Sequence, residues 1–168
     1  MRQANGTIYV GVVAIALAGY FTYQGWFNPN RIVKRQLGEL AAALSVPANE
    51  SDLDRLSRPS RVRSYFADDA RVKLGADYSD IDTPERLAVA LTAWSPPPEG
   101  VNVAFVDVQI NVDSSTTARA YLTVEIARPG VAGRQATYDR REAKVGFGKR
   151  NGAWLITSAE PNEIPTRP

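Results

Sequence analysis

A long stretch without charged residues constrains this chain more than any other feature. No Asp, Glu, Lys or Arg occurs between Arg2 and Arg31. Within that gap, the segment from Thr7 to Phe27 (TIYVGVVAIALAGYFTYQGWF) is long enough to cross a bilayer core of about 30 Å at roughly 1.5 Å per helical residue. The sequence therefore predicts a single transmembrane helix within an N-terminal anchor, residues 1–30, followed by a separate domain.

Aromatic side chains lie at both ends of the predicted span, where amphipathic rings settle among lipid headgroups. Small side chains also recur along one helical face at spacings of three and four residues. Small residues let a partner helix approach closely in lipid, although Gly and Ala are common in such segments without a partner. The membrane-interface residues are Tyr9, Tyr20, Tyr23, Trp26 and Phe27, and the expected partner-packing residues are Gly11, Ala14, Ala18, Thr22 and Gly25.

A cleaved signal peptide, which would leave a secreted domain, is the alternative interpretation of this segment. Arg2 would be its basic start, the run from Ile8 to Ile15 its apolar core, and Ala16-Leu17-Ala18 its cleavage site. Apolar and aromatic residues continue past that point, which favours the uncleaved anchor.

The orientation of the anchor depends on opposing signals. Arg31, Lys34 and Arg35 follow the span, which favours a cytoplasmic domain. A short N-terminus usually behaves as a signal-anchor, however, and long domains translocate with little regard to charge. We expect the N-terminus inside and the domain in the periplasm, at a bacterial inner membrane.

Composition removes several kinds of chemistry. The 168 residues include no Cys and no His, which excludes disulfides, thiol nucleophiles, Cys/His zinc sites and imidazole catalysis. The 20 Lys and Arg residues nearly balance 18 Asp and Glu residues, so we expect no nucleic-acid partner. We also expect no cofactor and no bound metal.

Helical periodicity dominates the first half of the domain. Apolar residues from Ile32 to Leu44 recur at helical spacing, and Pro47 ends that helix. Ser51 predicts a second short helix that is interrupted at Pro59. A short strand follows from Ala70 to Leu74. Thr83-Pro84-Glu85 then predicts the start of a third helix, which the triplet Pro96-Pro97-Pro98 stops.

Strand periodicity dominates the second half. Apolar and polar residues alternate over 104–112 and over 118–126, a third strand covers about 135–147, and Asn151-Gly152 predicts a hairpin turn into a last strand, 153–159. Helices followed by four antiparallel strands indicate an α+β domain, residues 31–160, with a short tail, 161–168. One strand face is uniformly aliphatic, beginning with Ala104 and Val106. The opposite face is polar. Its candidate partner residues are Asp107, Gln109, Arg119, Tyr121 and Thr123, although a solvated outer face explains them as well, and Asn111 and Glu125 lie on the same side.

The order of these segments resembles the nuclear transport factor 2-like superfamily. The resemblance covers roughly residues 31–160 and is carried by YFADDARVKL, the helix TPERLAVAL and the closing KVGFGKRNGAWLITSAEP. It implies a cone in which helices pack on a curved antiparallel sheet. It also implies a cavity that some members use as isomerases, dehydratases or epoxide hydrolases, with Asp, His, Tyr or Arg inside, while many members are non-catalytic.

The residues that come nearest to an enzyme site also have simpler explanations. Adjacent carboxylates at Asp68 and Asp69 would raise one pKa, but a turn before a strand explains them better. A calcium loop over Asp77, Asp80 and Asp82 lacks the central glycine and the final bidentate glutamate. Gly146-Phe147-Gly148 does not open a helix and is not a phosphate loop. Core or rim packing explains Tyr65, Tyr78 and Tyr138 better than a role as oxyanion donors. Outside any enzyme site, a solvated mixed-charge hairpin explains the following residues better than a surface for an anionic partner: Arg134, Arg140, Arg141, Lys144, Lys149 and Arg150.

We therefore expect no catalytic residues and a non-catalytic, single-pass accessory or assembly subunit of a larger inner-membrane complex of respiratory, photosynthetic or transport type. Its expected partners are the bilayer, an integral membrane protein complex and, as an option, a second copy of the chain. The alternative is a domain whose cone binds a small apolar ligand, or an enzyme of isomerase or hydrolase type that uses the cone cavity.

Overall fold

The computed structural model describes residues 28–73, 80–130 and 135–162. The predicted span and its small-residue stripe lie outside these ranges, and within them no helix is both long and apolar enough to cross a membrane. The described elements are the helices α1 (Pro29–Leu44), α2 (Asp52–Arg63) and α3 (Pro84–Ala93), and the strands β1 (Phe66–Val72), β2 (Asn102–Val112), β3 (Thr117–Arg128), β4 (Thr137–Arg150) and β5 (Ala153–Pro161).

Side-chain caps begin the second and third helices at the positions that the sequence predicts. The Ser51 hydroxyl accepts a hydrogen bond from the Asp54 backbone N–H at 3.1 Å, and the Thr83 hydroxyl accepts one from Arg86 N–H at 3.3 Å. Each bond satisfies a donor that the first helical turn leaves without an intrahelical partner. Both predicted helix starts are confirmed.

Helix α2 runs through Pro59 without a break, so the predicted interruption is wrong. A proline inside a helix removes one backbone hydrogen bond and crowds the preceding turn. The side chains of Arg58 and Val62, on either side of Pro59, are buried, and α2 packs against both α1 and α3. These tertiary contacts hold the helix where its local sequence disfavours it.

The five strands form one sheet in the order β1-β5-β4-β3-β2. Neighbouring pairs among β2 to β5 are antiparallel, as predicted, with Asn151 (φ 50°) and Gly152 (φ 86°) in the predicted hairpin turn. Strand β1 begins earlier than expected and pairs with β5 in parallel, Phe66 lying opposite Ile156. The four-stranded arrangement is therefore extended by a fifth strand from the first half of the domain.

A β-bulge in β2 changes which side chains face the helices. The pairing register shifts after Val106, and Asp107 adopts a φ of 53°, a left-handed conformation that Asp tolerates better than most residues. Before the bulge, Phe105 lies opposite Val124 and packs against the core. Ala104 and Val106 therefore face the opposite way, and their predicted place on the helix-facing side is wrong.

The hydrophobic core lies between the helices and one face of the sheet. Helix α1 supplies the most deeply buried side chains, and Val33 and Leu37 are 0% and 2% exposed. The sheet contributes the aliphatic face that the alternation predicts, so this side of the cone is filled by side chains. The core cluster comprises Val33, Leu37, Leu40, Val62, Ala118, Ala120, Leu122, Val145, Phe147, Trp154 and Ile156.

Candidate functional site

The sheet face turned away from the helices, which we call the open face, carries the predicted partner residues. Strand register sets them in rows that run across β2, β3 and β4. Arg119 lies beside Asn111, Gln109 beside Tyr121, and Thr123 beside Glu142. Because side chains alternate along a strand, these residues project from the same side of the sheet. The predicted partner face is thus one contiguous surface.

Ion pairs between neighbouring segments cover much of the open face. The Arg119 guanidinium donates to both carboxylate oxygens of Asp113, at 2.9 and 2.6 Å. Arg140 donates to Glu125 at 2.8 Å across the β3–β4 pair. Glu160 accepts from Lys144 at 3.2 Å and from Lys73 at 3.4 Å. Because these pairs are solvent-exposed, each adds little to stability, and their main effect is to fix the pattern of charge on the surface.

The contacts of Asp113 with Arg119, and of Glu160 with its two lysines, shift the pKa values of Asp113, Arg119 and Glu160. The hydrogen bond from Arg119 lowers the pKa of the Asp113 carboxyl, and the same bond raises the pKa of Arg119. Hydrogen bonds from Lys144 and then Lys73 lower the pKa of Glu160. Asp113, Arg119 and Glu160 are therefore held in their charged forms at neutral pH.

Between the ion pairs lies a shallow hollow of about 170 Å³, which we call the central depression. Four of the five predicted partner residues line it, whereas Arg119 stands outside, paired with Asp113. Asp107 and Gln109 are exposed, while Tyr121 and Thr123 are half-buried. The sequence did not single out Glu142 or Asn162, which also line the depression. Strand register brings Glu142 there, and the Asn162 backbone N–H donates to the Glu142 carbonyl at 2.9 Å.

The candidate enzyme residues do not assemble into a site. Asp68 and Asp69 lie within β1 rather than in the predicted turn, and both are exposed. Asp68 pairs with Arg63 at 3.3 Å, and Asp69 pairs with Arg150 at 3.3 Å, so each carboxylate faces a cation rather than its neighbour.

The candidate tyrosines and the possible calcium loop give no metal or acid–base site among the described residues. Tyr65 is half-buried against the core, and burial raises its pKa, with a further rise from Glu39 and an opposing effect of Arg61. Tyr138 is 63% exposed. No three acidic residues in the described ranges are placed to hold a metal ion. Asp77, Tyr78 and Arg134 lie outside the described residues.

A buried arginine is the main feature that the sequence did not predict. Arg58 pairs with Glu50, and the two side chains are only 3% and 9% exposed. Its guanidinium carbon lies 5.7 Å from the centre of the Trp94 ring, close enough for a cation–π interaction. Desolvation by burial lowers the pKa of Arg58, with a smaller contribution from Arg61. Its helical spacing from Val62 was the available signal, because both lie on the buried stripe of α2.

A second, larger hollow lies between α1 and the start of β2. It measures about 910 Å³ and has a mostly apolar lining. We call it the α1–β2 groove. On the α1 side, the groove is lined by small residues that recur at helical spacing, namely Gly38, Ala41, Ala42 and Ser45. On the β2 side the lining includes Val101, Val103 and Phe105.

Comparisons with known proteins identify the fold. No protein-family model and no curated protein sequence matches the chain. Among solved structures, an NTF2-like protein with a cystatin-like fold from Novosphingobium aromaticivorans matches with a TM-score of 0.62 and 11% identity, covering 90% of this chain and 92% of that chain.

Proteins with different roles share this likeness. A protein provisionally named scytalone dehydratase, also from Novosphingobium aromaticivorans, matches with a TM-score of 0.61 and 14% identity, covering 78% of this chain and 80% of that one. The association domain of Caenorhabditis elegans CaMKII matches with a TM-score of 0.55 and 9% identity, covering 81% and 93%. The chain therefore has the NTF2-like α+β fold, with helices on a curved sheet, and this fold is shared by proteins named for catalysis and for association.

Proposed function

We propose that this chain is a non-catalytic accessory or assembly subunit of a larger inner-membrane complex, of respiratory, photosynthetic or transport type. Its predicted span would anchor it through the small-residue stripe, with the domain in the periplasm. The open face would then cover an aqueous surface of the partner complex.

One observation carries the proposal, namely the contrast between the two faces of the sheet. The helix-facing side is filled by the core cluster and leaves its aliphatic residues buried. The open face combines fixed ion pairs, a central depression and the half-buried ring of Tyr121. Tyrosine and arginine are enriched in protein interfaces, whereas catalysis in a cone requires polar groups inside it.

The experiment is extraction of native membranes in a mild detergent, followed by native sizing and mass spectrometry of the proteins that co-migrate. Migration at fixed stoichiometry in a large complex is the expected result, and it would name the partners. Variants Ala14→Leu and Ala18→Leu should weaken that association if the stripe packs against a partner helix. Migration as a free monomer or homodimer would contradict the proposal.

The α1–β2 groove favours a second candidate function, binding of a small apolar ligand. Its volume of about 910 Å³ lies in the range of drug-sized ligand pockets, roughly 300–1,000 Å³. The groove lies beside α1 and not within the filled core. Native mass spectrometry of the detergent-extracted chain tests this candidate, because a retained ligand adds a defined mass. A bulky replacement, Ala42→Phe, should remove that mass, whereas a wild-type chain without added mass would count against ligand binding.

A further inference from the structure

Two carboxylates on the open face differ from all the others there. Among the described residues, neither Asp107 nor Glu142 pairs with a Lys or Arg, and the one side-chain partner of Glu142 is the neutral Asn162 amide, at 3.0 Å. Both carboxylates line the central depression. The remaining carboxylates of this face are neutralised in the pairs Asp113–Arg119, Glu125–Arg140 and Glu160–Lys144.

The basic residues of β4 that share a face with Glu142 and lie nearest to it are already engaged. Arg140 and Lys144 stand two positions before and after it, so all three project from the same face. Arg140 holds Glu125 at 2.8 Å, and Lys144 holds Glu160 at 3.2 Å. Neither cation turns toward Glu142. The depression therefore keeps two carboxylate charges that no Lys or Arg of the described residues neutralises.

We propose that the central depression receives one basic side chain, lysine or arginine, presented by the protein that docks on the open face. This inference rests on the proposed function and names the partner's chemistry at the same site. A hollow of about 170 Å³ accommodates one side-chain head group and not a larger ligand. Asp107 and Glu142 supply the charge, the Gln109 amide and Thr123 hydroxyl supply acceptors, and the Tyr121 ring supplies a cation–π surface.

A second copy of the chain fits this role poorly. Two copies meeting through the open face would each have to offer a basic side chain from that face. Of its basic residues, Arg119, Arg140, Lys144 and Lys73 are already bound to carboxylates of the same chain, and Arg71 lies on β1, at the opposite edge of the sheet from β2. The depression therefore fits a partner of different sequence.

The first test uses the full chain extracted from native membranes. The double variant Asp107→Asn with Glu142→Gln removes both charges but preserves side-chain shape, and the recovered partner should fall by at least about tenfold. Glu39→Gln is the matched control, because it removes an exposed carboxylate from α1 on the helix side. Undiminished recovery with the double variant would overturn the inference, while the co-purification itself would still support the proposed function.

The second test does not require a complex. N-acetyl-arginine amide, titrated into the full chain in detergent, should shift the NMR signals of Tyr121 and Thr123, and the neutral N-acetyl-citrulline amide should not. The double variant should lose the response. Equal shifts with both compounds, or none with either, would refute a cation site. A cation response in a chain that co-purifies with nothing would sustain this site while contradicting the proposed function.

Discussion

The buried Arg58–Glu50 pair allows a sharp prediction about stability. Both side chains are more than nine-tenths buried, and Nε of Arg58 has no hydrogen-bond partner. Glu50→Gln removes the negative charge but keeps the shape, which leaves the guanidinium buried beside the Trp94 ring without its carboxylate partner. Removing one member of a buried ion pair typically costs about 3–5 kcal/mol. The free energy of unfolding of a small domain is typically about 5–15 kcal/mol, so this cost is a large part of the total.

The assay is urea denaturation of the full chain in a non-ionic detergent, followed by circular dichroism. At a denaturant dependence of about 2 kcal/mol per molar urea, the midpoint should fall by roughly 2 M. Replacing both partners, as Glu50→Gln with Arg58→Met, should recover much of that loss, because no unpaired charge remains buried. The double variant thus separates loss of packing from loss of charge compensation.

Two results would refute this reasoning. A cost below about 1 kcal/mol for Glu50→Gln would mean that water screens the pair as it screens surface ion pairs. A double variant less stable than Glu50→Gln alone would mean that Arg58 stabilises the domain through packing and its stacking on Trp94, not through its charge.

Three further predictions concern single side chains. Gly38→Ala should raise the free energy of unfolding by roughly 0.5–1 kcal/mol, because an added Cβ meets nothing within 4 Å, and an unchanged or lower thermal midpoint would contradict this. Gly100→Ala should lower the free energy of unfolding by at least about 1 kcal/mol, because Gly100 has a φ of +87° and the new Cβ would lie 2.9 Å from the Ala48 nitrogen. Glu160→Gln should destabilise the chain at pH 7, where Lys144 and Lys73 hold the carboxylate charged. That difference should shrink as the pH falls below about 4, and a difference that persists in acid would count against the pairing.

Local signals in the sequence predicted the elements and the aliphatic core face well. Helix starts depend on one hydroxyl and its own first turn, and the Asn151-Gly152 hairpin depends on two residues that adopt positive φ. Each helix start and the hairpin turn depend on about four consecutive residues, and the tertiary contacts favour the same local conformation.

The errors occurred where distant parts of the chain decide the structure. Alternation over 104–112 continues unbroken in the sequence, yet the bulge at Asp107 moves Val106 to the open face and Phe105 into the core. Helix α2 crosses Pro59 because its buried side is held by neighbours. The residues of the predicted partner face share one side of the sheet, as the alternation indicated, but Glu142 joined them only through strand register.

The parallel pairing of β1 with β5 has a consequence for the order in which the domain is made. Phe66 pairs with Ile156, some 90 residues later, and Trp154 and Ile156 belong to the core. Apart from the isolated bridge between Val72 and Ile81, the first strand thus has no partner among the described residues until β5 has left the ribosome, so the sheet cannot be completed before then. Until then the aliphatic face of the sheet is only partly covered. A chain truncated before residue 153 would lose the strand that joins its two halves.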